Sequence, residues 1–261
     1  MDIAKIKDEA AHFSERLEKI KDQIKPDYFQ WYPYSTISNF IHFDKLLTGD
    51  NRRFLDNLKG GVVADIGAAD GDNSFFMESI GFDVDIIDYG LMNYNELMGA
   101  RTLKMHLGSS VNIHDIDVDS RFTLPRGKYD LVLFLGILYH LKNPFYALET
   151  LSRSTRYCLL STRVAQVTPD KNRRLDDMPV AYLLNPYEAN EDPTNYWIFS
   201  NPGLQRLLKR TGWKILDYMN AGCLTDSDPS STEGDERAFC LLESLGKPEY
   251  ELPLQRHGGR E

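Results

Sequence analysis

Two carboxylates and two glycines stand close together in Val63-Ala64-Asp65-Ile66-Gly67-Ala68-Ala69-Asp70-Gly71. A short apolar run closed by glycine reads as a buried strand, and Gly67 and Gly71 can take backbone angles and close approaches denied to larger residues. Ala68 and Ala69 keep the turn narrow, so a ligand can press against the backbone at the strand's carboxyl end, where open α/β sheets bind theirs. The turn lacks GxGxxG and the Walker lysine, and Asp65 and Asp70 would repel a pyrophosphate. The two acids suit a cationic ligand instead, one bearing an ammonium or a sulfonium. Asp88 closes the next apolar run, 84–87. An acid at that interval accepts hydrogen bonds from the two hydroxyls of a ribose. A third run ends at Ile113-His114-Asp115-Ile116-Asp117, where a carboxylate can receive an adenine amino group. His114, Asp115, Asp117 and Asp119 could instead hold a metal, but alternate residues of a strand point to opposite faces, so none is expected.

These residues need a sheet to carry them. Strand-like runs at 62–66, 84–87, 111–116, 129–135 and 157–161 alternate with helix-like segments at 73–80, 91–98 and 144–152. That rhythm predicts an α/β fold, a parallel sheet covered on both faces. Segments 213–218 and 237–242 read as a final antiparallel pair. Ahead of the sheet, Ile3, Ile6, Ala10, Phe13, Leu17, Ile20 and Ile24 form one apolar helical stripe that Pro26 ends. The stripe can lie on the core or form a seam between two copies. An aromatic patch follows, with Trp31, Tyr32 and Tyr34, and then a second helix after Ser35 or Thr36. Segment 162–200 carries four prolines, Tyr182, Tyr196 and Trp197. It is too rich in apolar groups for disorder and reads as a folded lid or substrate wall. The acidic, Ser-rich loop before 237 and the tail 246–261 are expected to be mobile.

The motifs resemble those of the Rossmann-like S-adenosylmethionine-dependent methyltransferases. Asp65-x-Gly67-x-Ala69-x-Gly71 resembles the family's acidic–glycine motif, Asp88 its ribose acid, and Asp115-Ile116 its adenine contact. The run Tyr129 to Leu135, leaving through Gly136-Ile137-Leu138-Tyr139-His140, resembles the family's post-strand motif. The resemblance implies a seven-stranded, mostly parallel sheet with an N-terminal helical lid. It implies S-adenosyl-L-methionine as cofactor, held by Asp65, Gly67, Ala68, Gly71, Asp88, Tyr89, Asp115, Ile116, Leu135 and Gly136. The nearest likeness is to the tRNA wobble-uridine carboxymethyltransferase group. In that group the tyrosine matching Tyr139 contacts the carboxylate of a carboxylated cofactor, helped by a lysine and an arginine. No lysine aligns in Trp31-Tyr32-Pro33-Tyr34, and Arg237 stands as the arginine, so ordinary methyl transfer is the expectation.

His140 leaves the strand end where a methyl group would lie and is the expected base, with Tyr139 orienting substrate or lining the cofactor pocket. Trp31, Tyr34, Arg163, Tyr182, Tyr196 and Trp197 are the candidate substrate residues. The domain reading is 1–59 for the N-terminal helices and aromatic lid, and 60–245 for the core with its 162–200 insertion. In 261 residues, 30 basic against 39 acidic side chains leave a net charge of −9. That disfavours a protein built mainly to grip nucleic-acid phosphate. A local basic run from Arg153 through Arg163 to Arg174 keeps RNA as an alternative to a small organic acceptor, and a non-catalytic scaffold is the third. No apolar run approaches the about 20 residues of a membrane span. Cys158, Cys223 and Cys240 form no CxxC pair, and the charged N-terminus reads as no signal peptide, so the expected compartment is the cytoplasm.

Overall fold

Period-two alternation along the central strands decides which side chains face which helices. In the computed structural model, which describes residues 1–231 and 234–247, nine strands form one sheet. They are β1 (Val62–Ile66), β2 (Asp83–Asp88), β3 (Asn112–Asp115), β4 (Tyr129–Leu135), β5 (Thr155–Val164), β6 (Ala181–Leu183), β7 (Trp197–Phe199), β8 (Trp213–Gly222) and β9 (Glu236–Ser244). Val63, Leu131, Leu133, Leu159 and Leu241 point to one face. Ala64, Ile66, Val132, Phe134, Leu160 and Cys240 point to the other. Helices α1 (Ile3–Ile24), α2 (Asn39–Leu46), α3 (Phe54–Asn57), α4 (Asp72–Ser79) and α5 (Met98–Leu107) cover the first face. Helices α6 (Pro144–Ser154) and α7 (Asn201–Arg210) cover the second.

The order β3-β2-β1-β4-β5 is parallel throughout, and β9 then pairs antiparallel with both β5 and β8. The parallel strands and the final antiparallel pair are as expected, but the sheet has nine strands where seven were expected. The insertion adds two short strands. β6 and β7 pair antiparallel, and β7 touches β5 through Val164 and Phe199. Because the chain runs outward from β1 to β3 and then returns to start β4 on the other side, a crevice opens at the carboxyl ends of β1 and β4.

Several expectations need correction. The stripe of α1 is spent inside the chain, since Ile3, Ile6, Ala10 and Leu17 are buried in the core that α1 shares with α2 and α4. A seam between two copies through that stripe loses its basis. The helix expected at 91–98 starts only at Met98, because Asn93 Oδ1 accepts from the amides of Asn95 (3.1 Å) and Leu97 (2.9 Å) and ties 93–97 into a turn. Leu97 itself stands at φ +66°. The loop expected to be mobile is packed in its first half, with Ser227 and Asp228 buried. Of the expected tail, 248–261 lies outside the described residues. Among the described residues no helix is long and apolar enough to cross a membrane.

Candidate functional site

The turn after β1 is shaped by positive backbone angles: Gly67 at φ +67°, Ala69 at +53° and Gly71 at +84°. A Cβ on Gly67 would come within 2.8 Å of the Ile137 side chain, and one on Gly71 within 2.7 Å of Ile86. Both glycines therefore answer to backbone conformation and to space. Ala68 is buried beside them.

The acids of the turn do not face outward as the sequence suggests. Asp65 is buried and accepts from the Ser74 hydroxyl at 2.7 Å, and burial pushes its pKa up to about 7. Asp70 is buried and already satisfied. Lys21 Nζ (3.2 Å), the Tyr32 amide (2.9 Å) and Asn95 Nδ2 (2.7 Å) all donate to it. Lys21 also pairs with Asp72 at 2.9 Å and lies 5.5 Å above the Trp31 ring. A cation from α1 thus stands where a cationic ligand was expected to find free carboxylates.

Asp88 and Asp115 end neighbouring strands in register. Asp88 accepts from the Ala69 amide (3.1 Å), Asn93 Nδ2 (2.9 Å) and the Tyr89 amide (2.8 Å), while burial raises its pKa. The Gly90 amide donates to Asp115 Oδ1 at 2.8 Å, and the Ile116 amide donates to the Asp88 carbonyl at 2.9 Å. One carboxylate thus braces the turn around the other. Leu135 ends β4, and Gly136 follows at φ +73° with its amide donating to Ser161 O at 2.9 Å. A Cβ built on Gly136 would lie 3.7 Å from the Tyr139 hydroxyl and 3.9 Å from Arg237 Nη1.

Tyr139 and His140 sit in one turn of 3-10 helix, Leu138–His140. The Arg237 guanidinium lies 5.8 Å over the Tyr139 ring, and Tyr139 O accepts from the Tyr196 amide at 2.8 Å. His140 Nδ1 reaches Thr194, and burial holds its imidazole below the usual pKa. Tyr32, among the charges around Tyr139 and Arg237, has its pKa pushed up to about 12, chiefly by burial. Tyr139, His140, Tyr196, Arg237 and Tyr32 are therefore brought together.

The remaining candidates go elsewhere. Arg163 is buried, not open to a substrate, with Nη2 donating to the carbonyls of Asp228 (3.2 Å) and Ser231. It pairs across the ladder with Arg237, and the two guanidiniums share Asp235. Trp197 packs with the α6–α7 side of the core. Tyr182 packs toward Tyr139's cluster, its hydroxyl donating to Glu188 at 2.7 Å. Trp31 packs on the α1–α2 side, and Tyr34 is exposed with its ring 5.5 Å from that of Tyr32. The basic run does not make one surface either. Arg156 at the start of β5 and Arg163 near its end are about 23 Å apart at 3.3 Å per residue, and Arg174 pairs with Asp176 at 2.5 Å.

Sequence reasoning passed over Lys21, Asn93, Asp192 and Thr194. Lys21 offers a local signal, standing four residues after Leu17 and three before Ile24 on the apolar stripe of α1, while the partners of Asp192 and Thr194 at His140 lie far away in the chain. Among the described residues no group of three or more His, Cys, Asp or Glu could hold a metal ion.

Residues 40–218 match a family model described as a methyltransferase domain. A tRNA U34 carboxymethyltransferase from Psychrobacter arcticus is 33% identical over 107 residues, 37% of this chain and 29% of that protein. The chain thus matches under a third of that relative's length. The fold is like that of the N-terminal domain of EvdMO1, solved with S-adenosylhomocysteine bound, at TM-score 0.54 and 16% identity over 88% of this chain and 96% of that one. It is also like a putative methyltransferase from Bacillus halodurans, at TM-score 0.54 and 14% identity over 75% of this chain and 99% of that one.

Proposed function

The chain belongs to the S-adenosylmethionine-dependent methyltransferases of the Rossmann-like class, and we propose that it methylates an oxygen or nitrogen nucleophile of a small organic acceptor. The observation that carries the site is the convergence, on one crevice, of the glycine turn, the Asp88–Asp115 pair and the Gly136-to-His140 turn. The cradle suits the cofactor: Gly136 leaves backbone open at the end of β4, and the Asp88 and Asp115 carboxylates can serve as acceptors for ribose hydroxyls and an adenine amino group.

In this reading Asp88 orients the ribose, Asp115 with Ile116 the adenine, and Leu135 with Gly136 walls the methionyl part. Asp65, Gly67, Ala68, Gly71 and Tyr89 shape the rest. The cofactor supplies a methyl group already activated by the adjacent sulfonium. The residues align the nucleophile behind that methyl, an orientation effect worth about 7–11 kcal/mol. His140 would take up the acceptor's proton as the methyl group is transferred. Tyr139 and Tyr32 border the acceptor. Residues 1–59 act as a lid through Tyr32 and the Lys21 contacts, and the insertion 162–200 closes the other side. The protein works in the cytoplasm.

A second reading is carboxymethyl transfer, which the Psychrobacter relative's name describes. It is supported by Arg237 beside Tyr139 and Gly136, a cation able to hold a carboxylate on the transferred group. The test pairs calorimetry with labelled transfer. Asp88→Ala should abolish cofactor binding, and wild-type protein should move labelled methyl into a small-metabolite pool. Label appearing only in tRNA, or only from the carboxylated donor, would select the alternatives, and an unchanged affinity in Asp88→Ala would remove the central argument.

A further inference from the structure

The insertion reaches the reaction centre through two side chains that nothing in the sequence marks. His140 Nδ1 lies 3.0 Å from Thr194 Oγ1 and 3.2 Å from the Thr194 carbonyl. Thr194 is in turn bound to Asp192, whose Oδ1 is 2.6 Å from Thr194 Oγ1 and 2.8 Å from the Thr194 amide. A threonine hydroxyl has one proton to give and an ionised carboxylate has none. The hydroxyl proton therefore goes to Asp192, and Oγ1 turns its lone pairs toward the imidazole. The carbonyl beside it can only accept as well. Both partners of Nδ1 are acceptors, so Nδ1 must carry the ring's proton. Nε2 then keeps the ring's lone pair.

We infer that Asp192 and Thr194 are positioning residues that hold His140 as the Nδ1–H tautomer with Nε2 free to accept a proton. The inference rests on the proposed role of His140 as base and explains how that role is set up. The loop that carries the pair is pinned on both sides. Asn195 Nδ2 donates to Ala189 O at 2.9 Å, and the Tyr196 amide donates to Tyr139 O at 2.8 Å. Asn190 and Glu191 stand at φ +56° and +53° to make the bend. The insertion is thereby tied to the strand-end turn at two adjacent residues, Tyr139 and His140.

The charges that face the imidazole come from three directions. Burial lowers its pKa, Arg237 of β9 lowers it further, and Asp192 Oδ2 at 3.9 Å pulls it back up. The neighbouring Tyr139 ring lies 4.3 Å away between centroids. Tyr32, on the N-terminal side, also feels Asp192. Asp192→Asn keeps an oxygen for the Thr194 hydroxyl and removes only the charge. The imidazole pKa should then fall by about 1 unit, the low end for losing an opposite charge at this range. Only the neutral imidazole accepts a proton, so the acid limb of the pH–rate profile should move down by the same amount.

Nitrogen-15 spectra of histidine-labelled full-length protein read the tautomer and the pKa directly, without turnover. The expected result is an Nδ1–H ring at His140 in the wild type, and a lower pKa in Asp192→Asn with the acid limb following it. An Nε2–H ring in the wild type, or a His140 pKa unmoved by Asp192→Asn, overturns the inference. His140→Gln reports separately on the base. Full turnover in that variant would end the base role, while the spectra of the resting protein would still decide how the ring is held.

Discussion

Replacing Asp65 with asparagine should change the stability of the cofactor-free protein by an amount that depends steeply on pH. Asp65 is buried under α4, with one hydroxyl donor, Ser74, and no cation on it. Burial raises its pKa from 3.8 to about 7. In the unfolded chain the carboxyl ionises first, so between those two values the folded state holds a proton that the unfolded state has lost. Stability is thus greatest below the unfolded pKa and falls as pH rises toward 7. The slope reaches about 1.4 kcal/mol per pH unit, and a rise of about 3 units sums to about 4 kcal/mol. Asparagine cannot ionise and lacks this slope. Urea unfolding of both proteins at several values between pH 4 and pH 8 isolates the term, because the other titrating groups cancel in the difference. The stability of Asp65→Asn relative to wild type should improve by about 4 kcal/mol from pH 4 to pH 8. A difference that stays flat would mean that Asp65 is ionised in the folded protein at low pH, and the account of this turn would be wrong.

Two further perturbations test the N-terminal helix. Leu17→Ala should cost about 2–4 kcal/mol in urea unfolding, because a fully buried side chain leaves a cavity in the core. Light scattering should give the wild-type mass, and a wild-type dimer split by the substitution would restore the seam between copies. Lys21→Met leaves the carboxylates of Asp70 and Asp72 buried without their cation. The loss should be about 3 kcal/mol at pH 7. It should shrink at pH 4 as Asp72, whose pKa burial raises, takes up a proton. A loss of equal size at both pH values would argue against the ion pair.

What could be read from the sequence is what depends on neighbours along the chain. The central strands were legible because both faces of a parallel sheet are buried, and such runs are apolar almost throughout. The glycine turn and Asp88 were legible because backbone angle and strand end tie residue type to position. Segment 91–98 was misread for a physical reason: its apolar residues fit a helix, while Asn93 offers the backbone a competing set of hydrogen bonds. Arg163 was misread because charge alone does not reveal the carbonyls of Asp228 and Ser231 that bury it. Asp192 and Thr194 carry no local signal, since their meaning lies in a contact about fifty residues away. The same limit applies to Asp70, whose lysine comes from α1.

These contacts change how the net charge of −9 bears on the site. At the glycine turn the acids are silenced from within, Asp70 and Asp72 by Lys21 and Asp65 by burial. The carboxylates left to meet a ligand are Asp88 and Asp115, at the end of the crevice assigned to ribose and adenine. At the other end stands the cation Arg237, which shares Asp235 with the buried Arg163. The proposed base works at that end. A nearby guanidinium makes it harder to protonate His140, which by itself weakens the base. It also stabilises negative charge growing on an acceptor oxygen or nitrogen as its proton leaves, and in a partly desolvated crevice that attraction is stronger than in water. Asp192 opposes the first effect, because it faces His140 from the insertion side. In the proposed mechanism Arg237 and Asp192 would therefore act on the same proton transfer at its two ends, one on the nucleophile and one on the imidazole that receives the proton.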